Sequence, residues 1–163
     1  MTTDRWTVPP RWKPLMRIPV PWMFVLAYLL GVALDQVIPL GGPRPGALLL
    51  GVAGAVLFIA GAALAGWAWT IFHGAGTTRI PGRRSTTLVT WGPYRASRNP
   101  MYVGLTLAYL GEAGLLRQVW PVLVLPLLLA LLNWVIIPVE EARLREVFGT
   151  AYDQYGSRVR RWL

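Results

Sequence analysis

The feature that most constrains the fold is a long stretch, residues 47–72, in which no side chain carries a charge. At 1.5 Å per residue, a helix of this length covers about 39 Å, more than the ~30 Å hydrocarbon core of a bilayer. Small residues along it include pairs four apart, at Gly54, Gly61, Ala62, Ala65 and Gly66. Such spacing lets a second helix approach closely, so we expect a membrane-spanning helix packed against a neighbour.

Three further apolar segments accompany this stretch, at residues 18–40, 101–116 and 118–139. The segment at 101–116 covers only about 24 Å as a helix, so it either crosses the bilayer thinly or enters it as half of a hairpin. From residue 140 onward the chain is charged, with apolar residues at helical spacing and Gly149 as the expected helix end. The sequence predicts a single all-α domain, a polytopic transmembrane helical bundle of about four membrane segments. A C-terminal cytoplasmic amphipathic helix and tail are expected over residues 140–163.

A polar segment with bent backbone precedes the third apolar segment, and we call residues 92–104 the hinge. Pro93 and Pro100 fix their own φ angles and push the preceding residues out of the helical region. Irregular backbone beside a membrane persists only where it is buried in protein or lines a cavity. The hinge is therefore expected to form the wall of a site, with Arg98, Asn99 and Tyr102 as candidate residues. Two alternatives stay open: Arg98 reaching toward lipid phosphates, and Tyr102 serving as an interfacial aromatic.

Carboxylates and a histidine elsewhere in the chain supply further candidates. Glu140 and Glu141 lie at the mouth of the last apolar segment, where adjacent carboxylates need water, a cation or a polar ligand. They equally suit the acidic first turn of the following helix. His73 is the only histidine and hence the default general base, although a histidine at a membrane interface is more often structural. Gly74 and Gly76 after it permit close approach of a ligand to the backbone.

The distribution of charge predicts the orientation and argues against some classes of protein. Basic residues are concentrated in residues 1–17 and 73–98, and the second stretch holds no acid. By the positive-inside rule, we expect a multi-pass integral membrane protein with both termini and the site in the cytoplasm. The net charge is +9, but the arginines form no single block, so no nucleic-acid partner is predicted.

Several kinds of chemistry find no support in the sequence. The chain has no cysteine, which excludes disulfides, thiolate metal sites and cysteine nucleophiles. No phosphate-binding loop and no cluster of metal-ligand residues is found, so no metal site is predicted.

Taken together, these motifs resemble those of the integral-membrane methyltransferases that use S-adenosylmethionine. Residues 99–104 are similar to the phosphatidylethanolamine N-methyltransferase branch, as are the glycines of residues 74–77 and 109–111. The isoprenylcysteine carboxyl methyltransferase branch is similar at Glu140-Glu141, Leu144, Phe148-Gly149, Tyr152, Tyr155 and residues 158–160. That second branch usually has histidine where this chain has Asn99, which puts an acid-base role at that position in doubt.

The resemblance implies a helical membrane enzyme that binds S-adenosylmethionine from the cytosol and methylates an amphiphile from the bilayer. The cofactor-binding residues that it implies are Gly74, Gly76, Arg98, Asn99, Pro100, Tyr102, Gly104, Glu140 and Glu141. The candidate catalytic residues are His73, Arg98 and Asn99.

A phospholipid amine headgroup is the favoured methyl acceptor, because the hinge matches that branch more fully. The alternatives are carboxyl methylation of a prenylcysteine-like or other small hydrophobic acceptor, and a membrane scaffold or subunit without enzymatic activity. The expected partners are the lipid bilayer and a lipid or lipidated substrate, and the oligomeric state is left open.

Overall fold

A computed structural model describes residues 15–40, 47–75 and 87–163, and regular secondary structure in these ranges is entirely helical. The basic N-terminal segment before residue 15 and Gly76 lie outside the described residues. The described ranges form six α-helices, together with a π-helical turn at Leu132–Ile136 and short 3-10 turns at Leu15–Arg17 and Gly92–Arg95. The α-helices are α1 (Val20–Val37), α2 (Ala47–Gly74), α3 (Pro100–Leu116), α4 (Val119–Leu131), α5 (Ile137–Phe148) and α6 (Thr150–Arg158).

Among the described residues, three stretches are long and apolar enough to cross a membrane, namely Val20–Val37, Leu48–Gly74 and Val119–Phe148. The third includes α4, the π-helical turn and α5 as one continuous helix. Helix α3 has 17 residues and packs along α2. At 1.5 Å per residue it covers about 26 Å, close to the thickness of a hydrocarbon core. These helices confirm the predicted all-α membrane bundle with a C-terminal helix.

Glycines bring α2 and α3 into direct backbone contact. A Cβ atom on Gly61 would lie 2.6 Å from the Gly104 carbonyl oxygen, and one on Gly54 would lie 2.7 Å from that of Gly111. Neither position tolerates a side chain, so the small residues predicted to admit a neighbouring helix do so at Gly54 and Gly61. At Gly66, by contrast, a Cβ would meet nothing within 4 Å in the described part of the chain.

Helices α1 and α4 form the second close pair and join the first through aromatic side chains. A Cβ on Gly31 of α1 would lie 2.6 Å from the Cα atom of Pro121 in α4. The Tyr109 hydroxyl of α3 donates to the Pro121 carbonyl at 3.0 Å, and its ring meets that of Tyr28 edge-on at 5.0 Å. These contacts make α3 the element that connects the two pairs.

The last long helix continues well past the point where the sequence becomes charged. Pro138 has no N–H to donate, and its ring would crowd a carbonyl of the preceding turn, a conflict that a wider turn relieves. The π-helical turn lies just before it, and the N–H of Ile137 bonds to the Leu132 carbonyl. The helix then runs unbroken to Phe148 and ends at Gly149, as predicted, with φ +53°. Glu140 and Glu141 are therefore held on a rigid helix rather than in a loop.

Candidate active site

The hinge has the bent shape that its prolines predict. It opens with a 3-10 turn at Gly92–Arg95, where Gly92 has φ +61°, and α3 begins directly at Pro100. Pro100 is buried in the first turn of α3, where its missing N–H needs no partner. Asn99 precedes that turn and makes no side-chain capping bond to it.

Two tyrosine hydroxyls fasten the hinge to the rest of the protein. The Tyr94 hydroxyl donates to the Ala68 carbonyl of α2 at 3.3 Å. From the other side, the buried Tyr155 of α6 donates to the carbonyl of Tyr94 at 2.8 Å. Burial raises the pKa of the Tyr155 phenol, so its neutral, donating form is favoured. The hinge is thereby held between α2 and α6.

The hinge contacts the acid pair through two residues, and the first of them, Tyr102, binds Glu140. Tyr102, near the start of α3, is almost fully buried, and its hydroxyl lies 2.7 and 2.8 Å from the two carboxylate oxygens of Glu140. A hydroxyl that donates to a carboxylate makes a strong, charge-assisted bond. Glu140 itself is only half-buried, so its carboxylate is fixed by Tyr102 at the edge of the protein interior.

Glu141 has a different environment, although it is the next residue. Its side chain is 4% exposed and lies among arginines. Arg161 binds it with two nitrogens, Nε at 3.0 Å and Nη2 at 2.8 Å, and the Nη1 atom of Arg98 lies 3.1 Å away. Arg145, one helical turn further along, is at 4.0 Å. A buried carboxylate is tolerated when cations and hydrogen bonds compensate it to this degree.

The Arg98 side chain is enclosed on several sides. It is 14% exposed. A Cβ on Gly156 would lie 3.0 Å from its Nη1 atom, so the glycine leaves room for the guanidinium. Burial raises the pKa of the neighbouring Tyr152 phenol, an effect that the charge of Arg98 opposes. The Nε atom of Arg98 is buried and has no hydrogen-bond partner among the residues that the structure describes. An orphaned donor of this kind is rare and calls for an explanation.

The C-terminal residues complete the site, and sequence reasoning did not place them there. Ser97 Oγ and Asn99 Nδ2 both donate to the Arg161 carbonyl, at 3.1 and 3.0 Å, and the Arg98 N–H donates to the Arg160 carbonyl at 2.8 Å. In the sequence these basic residues have the appearance of lipid-headgroup anchors. No pattern in the sequence indicates that Arg161 has a partner inside the protein. The buried position of Glu141, which the fold reveals, is what indicates it.

The remaining predicted residues lie in other environments. His73 is exposed near the end of α2, with its ring 3.9 Å from that of Trp69. A Cβ on Gly74 would meet no atom of the described residues within 4 Å. Gly104 faces α2, where a Cβ would lie 2.5 Å from the Ala65 nitrogen. Helix packing thus accounts for the glycine at 104, and roles for these three residues in the site stay predictions.

Comparison with known proteins identifies the family. Residues 49–151, well over half of the chain, match the family model described as phospholipid methyltransferase, and the match includes the hinge and both glutamates. No curated protein and no solved structure matches the chain. The membrane-embedded helices and the family match agree with the resemblance seen in the hinge and the acid pair, and the chain therefore belongs to the phospholipid methyltransferase family.

Proposed function

We propose that this protein transfers a methyl group from S-adenosylmethionine to a membrane amphiphile, with a phospholipid amine headgroup as the acceptor. The observation that carries the proposal is the contact between Tyr102 and Glu140, which joins the hinge to the acid pair at one end of the bundle. The family implies a methyltransferase acting on membrane substrates. The identity of donor and acceptor is our inference.

The side chains present fit S-adenosylmethionine. Its amino-acid end carries an ammonium and a carboxylate, which call for an anion and a cation held close together. Glu140, fixed by Tyr102, would bind the ammonium. Arg98 would bind the carboxylate, which is the kind of acceptor that its buried, unpartnered Nε lacks. Glu141 is already engaged by Arg161 and Arg98, so we assign it to compensating the charge of these buried arginines and not to contacting the donor.

When bound, S-adenosylmethionine supplies an electrophilic methyl group attached to a sulfonium. The protein's part is to hold an acceptor in line with that group and to keep water away. An ammonium headgroup must also lose a proton before it can attack. Glu140 belongs to the contact cluster and is our first candidate for accepting that proton, while His73 is the second. A His73→Ala variant with unchanged turnover across neutral pH would leave Glu140 alone in this role.

A second acceptor class is favoured by the charge of the cluster. Three arginines, 98, 145 and 161, lie within 4.0 Å of Glu141. Arg145 pairs more closely with Asp153, at 3.2 Å, so Arg98 and Arg161 are the close partners of Glu141 and leave one surplus positive charge there (two minus one). Such a surplus suits an anionic acceptor such as the carboxylate of a prenylcysteine. Supplying matched phosphatidylethanolamine and prenylcysteine acceptors in separate assays distinguishes the two classes.

The arginines also support an orientation. Those of the hinge, α5 and the C-terminal residues lie at the same end of the bundle as the candidate site, and the positive-inside rule favours the cytoplasm for that end. We therefore propose a cytoplasm-facing site with both termini on the cytoplasmic side.

Binding of the donor tests the proposal directly. Titration calorimetry of the detergent-purified protein with S-adenosylmethionine is expected to show one site. The demethylated product, S-adenosylhomocysteine, is expected to raise the melting temperature, because a ligand that binds only the folded state stabilises it. A scaffold protein would show neither effect, so two negative results would overturn the proposal.

A further inference from the structure

Residues 160–162 form a short C-terminal latch that closes over the hinge, and it lies beyond the range matched by the family. We propose that Arg161 in this latch is a positioning residue, which neutralises Glu141 so that Arg98 stays available to the methyl donor. This inference rests on the proposed function and deepens it.

The backbone of the latch is bound by three consecutive hinge residues. Ser97 and Asn99 converge on one carbonyl oxygen, that of Arg161, while the N–H of Arg98 between them bonds to the carbonyl of Arg160. At the far end of the latch, the Trp162 indole donates to Asn133 in the π-helical turn at 3.1 Å. The latch is thus fixed at both ends, and the Arg161 side chain has a defined origin.

The side chain of Arg161 then supplies most of the short contacts to Glu141. It contributes two of them, at 3.0 and 2.8 Å, whereas Arg98 contributes one, at 3.1 Å. The fork of a guanidinium matches a carboxylate in this two-bonded geometry, which a single nitrogen cannot reproduce. An arginine keeps its charge at any physiological pH, and the hydrogen bonds to Glu141 raise the pKa of Arg161 further.

The consequence concerns the free donor group of Arg98. A buried carboxylate demands compensation, and without Arg161 the nearest strong partner of Glu141 is Arg98. Arg98 would then turn more of its N–H groups toward Glu141, including those proposed to bind the donor's carboxylate. Arg161 prevents this by occupying the carboxylate first.

The test measures donor affinity in a set of full-length variants. We expect Arg161→Ala to raise the dissociation constant for S-adenosylmethionine by about tenfold or more, while the KM for the lipid acceptor stays near its original value. Arg158→Ala is the matched control, because Arg158 is an exposed arginine of the same region. Its affinity for the donor is expected to equal that of the unaltered protein. Arg161→Lys keeps the charge but not the two-bonded geometry, so its affinity for the donor should lie between those of Arg161→Ala and Arg158→Ala.

A double variant separates positioning from folding. Removing the charge of Glu141 as well, in Arg161→Ala/Glu141→Gln, releases Arg98 and should return the affinity to within about threefold of the original. Equal affinity in Arg161→Ala and Arg158→Ala would overturn the inference. A double variant that binds S-adenosylmethionine no better than Arg161→Ala would also overturn it. If Arg161→Ala does not fold, a double variant that binds the donor tenfold more weakly than the unaltered protein would do the same. Failure of the unaltered protein to bind S-adenosylmethionine would instead overturn the proposed function, and this inference with it.

Discussion

At the scale of the residue, the main finding is that two adjacent glutamates have different surroundings. Successive residues on a helix point about 100° apart, so Glu140 faces Tyr102 of α3 while Glu141 faces Arg98 and the latch. In the sequence they form one acidic pair, because the fold alone decides which element packs against each face of the helix. Both glutamates could be chosen as candidates from the sequence, but the difference between their contacts could not be predicted from it.

Alanine at Glu140 and alanine at Glu141 should therefore affect different properties, donor binding and stability respectively. We expect Glu140→Ala to remain folded in detergent and to lose measurable S-adenosylmethionine binding. Glu141→Ala should retain binding but lower the free energy of unfolding by about 2 to 4 kcal/mol, because it leaves buried guanidiniums uncompensated. The lower part of this range allows for the partial exposure of Arg161, whose side chain is 35% exposed. Calorimetry and thermal melting of both variants decide the matter, and identical behaviour would contradict the assignment.

Alkaline pH should weaken the attachment of α6 to the hinge. Burial raises the pKa of Tyr155 above its ordinary 10.0, so the phenol stabilises the fold below that pH and loses this contribution as pH rises further. We expect the melting temperature to fall above about pH 10. Tyr155→Phe should lose about 1 kcal/mol at neutral pH, from the missing bond to Tyr94, and show a shallower alkaline fall. Parallel curves for the two proteins would rule out this role for Tyr155.

At the scale of the element, the sequence predicted the helices better than their contacts. The charge-free stretch became α2, and the two hinge prolines bend the chain where expected. Continuity of the last helix through residue 140 was not evident, because a change from apolar to charged residues marks a membrane boundary, not a helix end. Similarly, Gly104 looks like a ligand-binding glycine in the sequence, yet the close approach of α2 explains it once the partner helix is known.

Two glycines of α2 provide a matched test of the helix contact. In Gly61→Ala the new Cβ would lie 2.6 Å from the Gly104 carbonyl oxygen, and we expect a loss of about 1 to 3 kcal/mol in stability. In Gly66→Ala the Cβ enters open space, so stability should be unchanged or rise by up to about 1 kcal/mol. Melting temperatures in the same detergent measure both effects. Equal shifts would show that α2 and α3 do not pack through Gly61.

At the scale of the whole molecule, the long last helix separates two ends of the bundle. Its start lies beside the end of α1, where the Trp120 indole donates to the Ile38 carbonyl at 2.6 Å. Its other end carries the acid pair and leads into α6. The 30 residues from Val119 to Phe148 correspond to about 45 Å, more than a hydrocarbon core. The basic loops predict that the end with the acid pair faces the cytoplasm, and this orientation stays a prediction. The pairing of Arg161 with Glu141 was not predictable, because it requires α6 and the latch to fold back on the hinge.

The absence of cysteine makes this orientation easy to test. Single cysteines at Gln36 and Ser157, both exposed and at opposite ends, can be probed in intact cells with a membrane-impermeant maleimide. We expect Gln36→Cys to be labelled directly and Ser157→Cys only after the membrane is permeabilised. The reverse pattern would place the site on the other side of the membrane.

The most direct test of the central claim is methyl transfer itself. The purified protein would be incubated with methyl-labelled S-adenosylmethionine and a total lipid extract, and the labelled lipids identified by mass spectrometry, with Glu140→Ala as the control. The structure and the family lead us to predict label on the amine headgroup of a phospholipid and none with the variant. Label in no lipid, from folded protein in excess donor, would contradict the account.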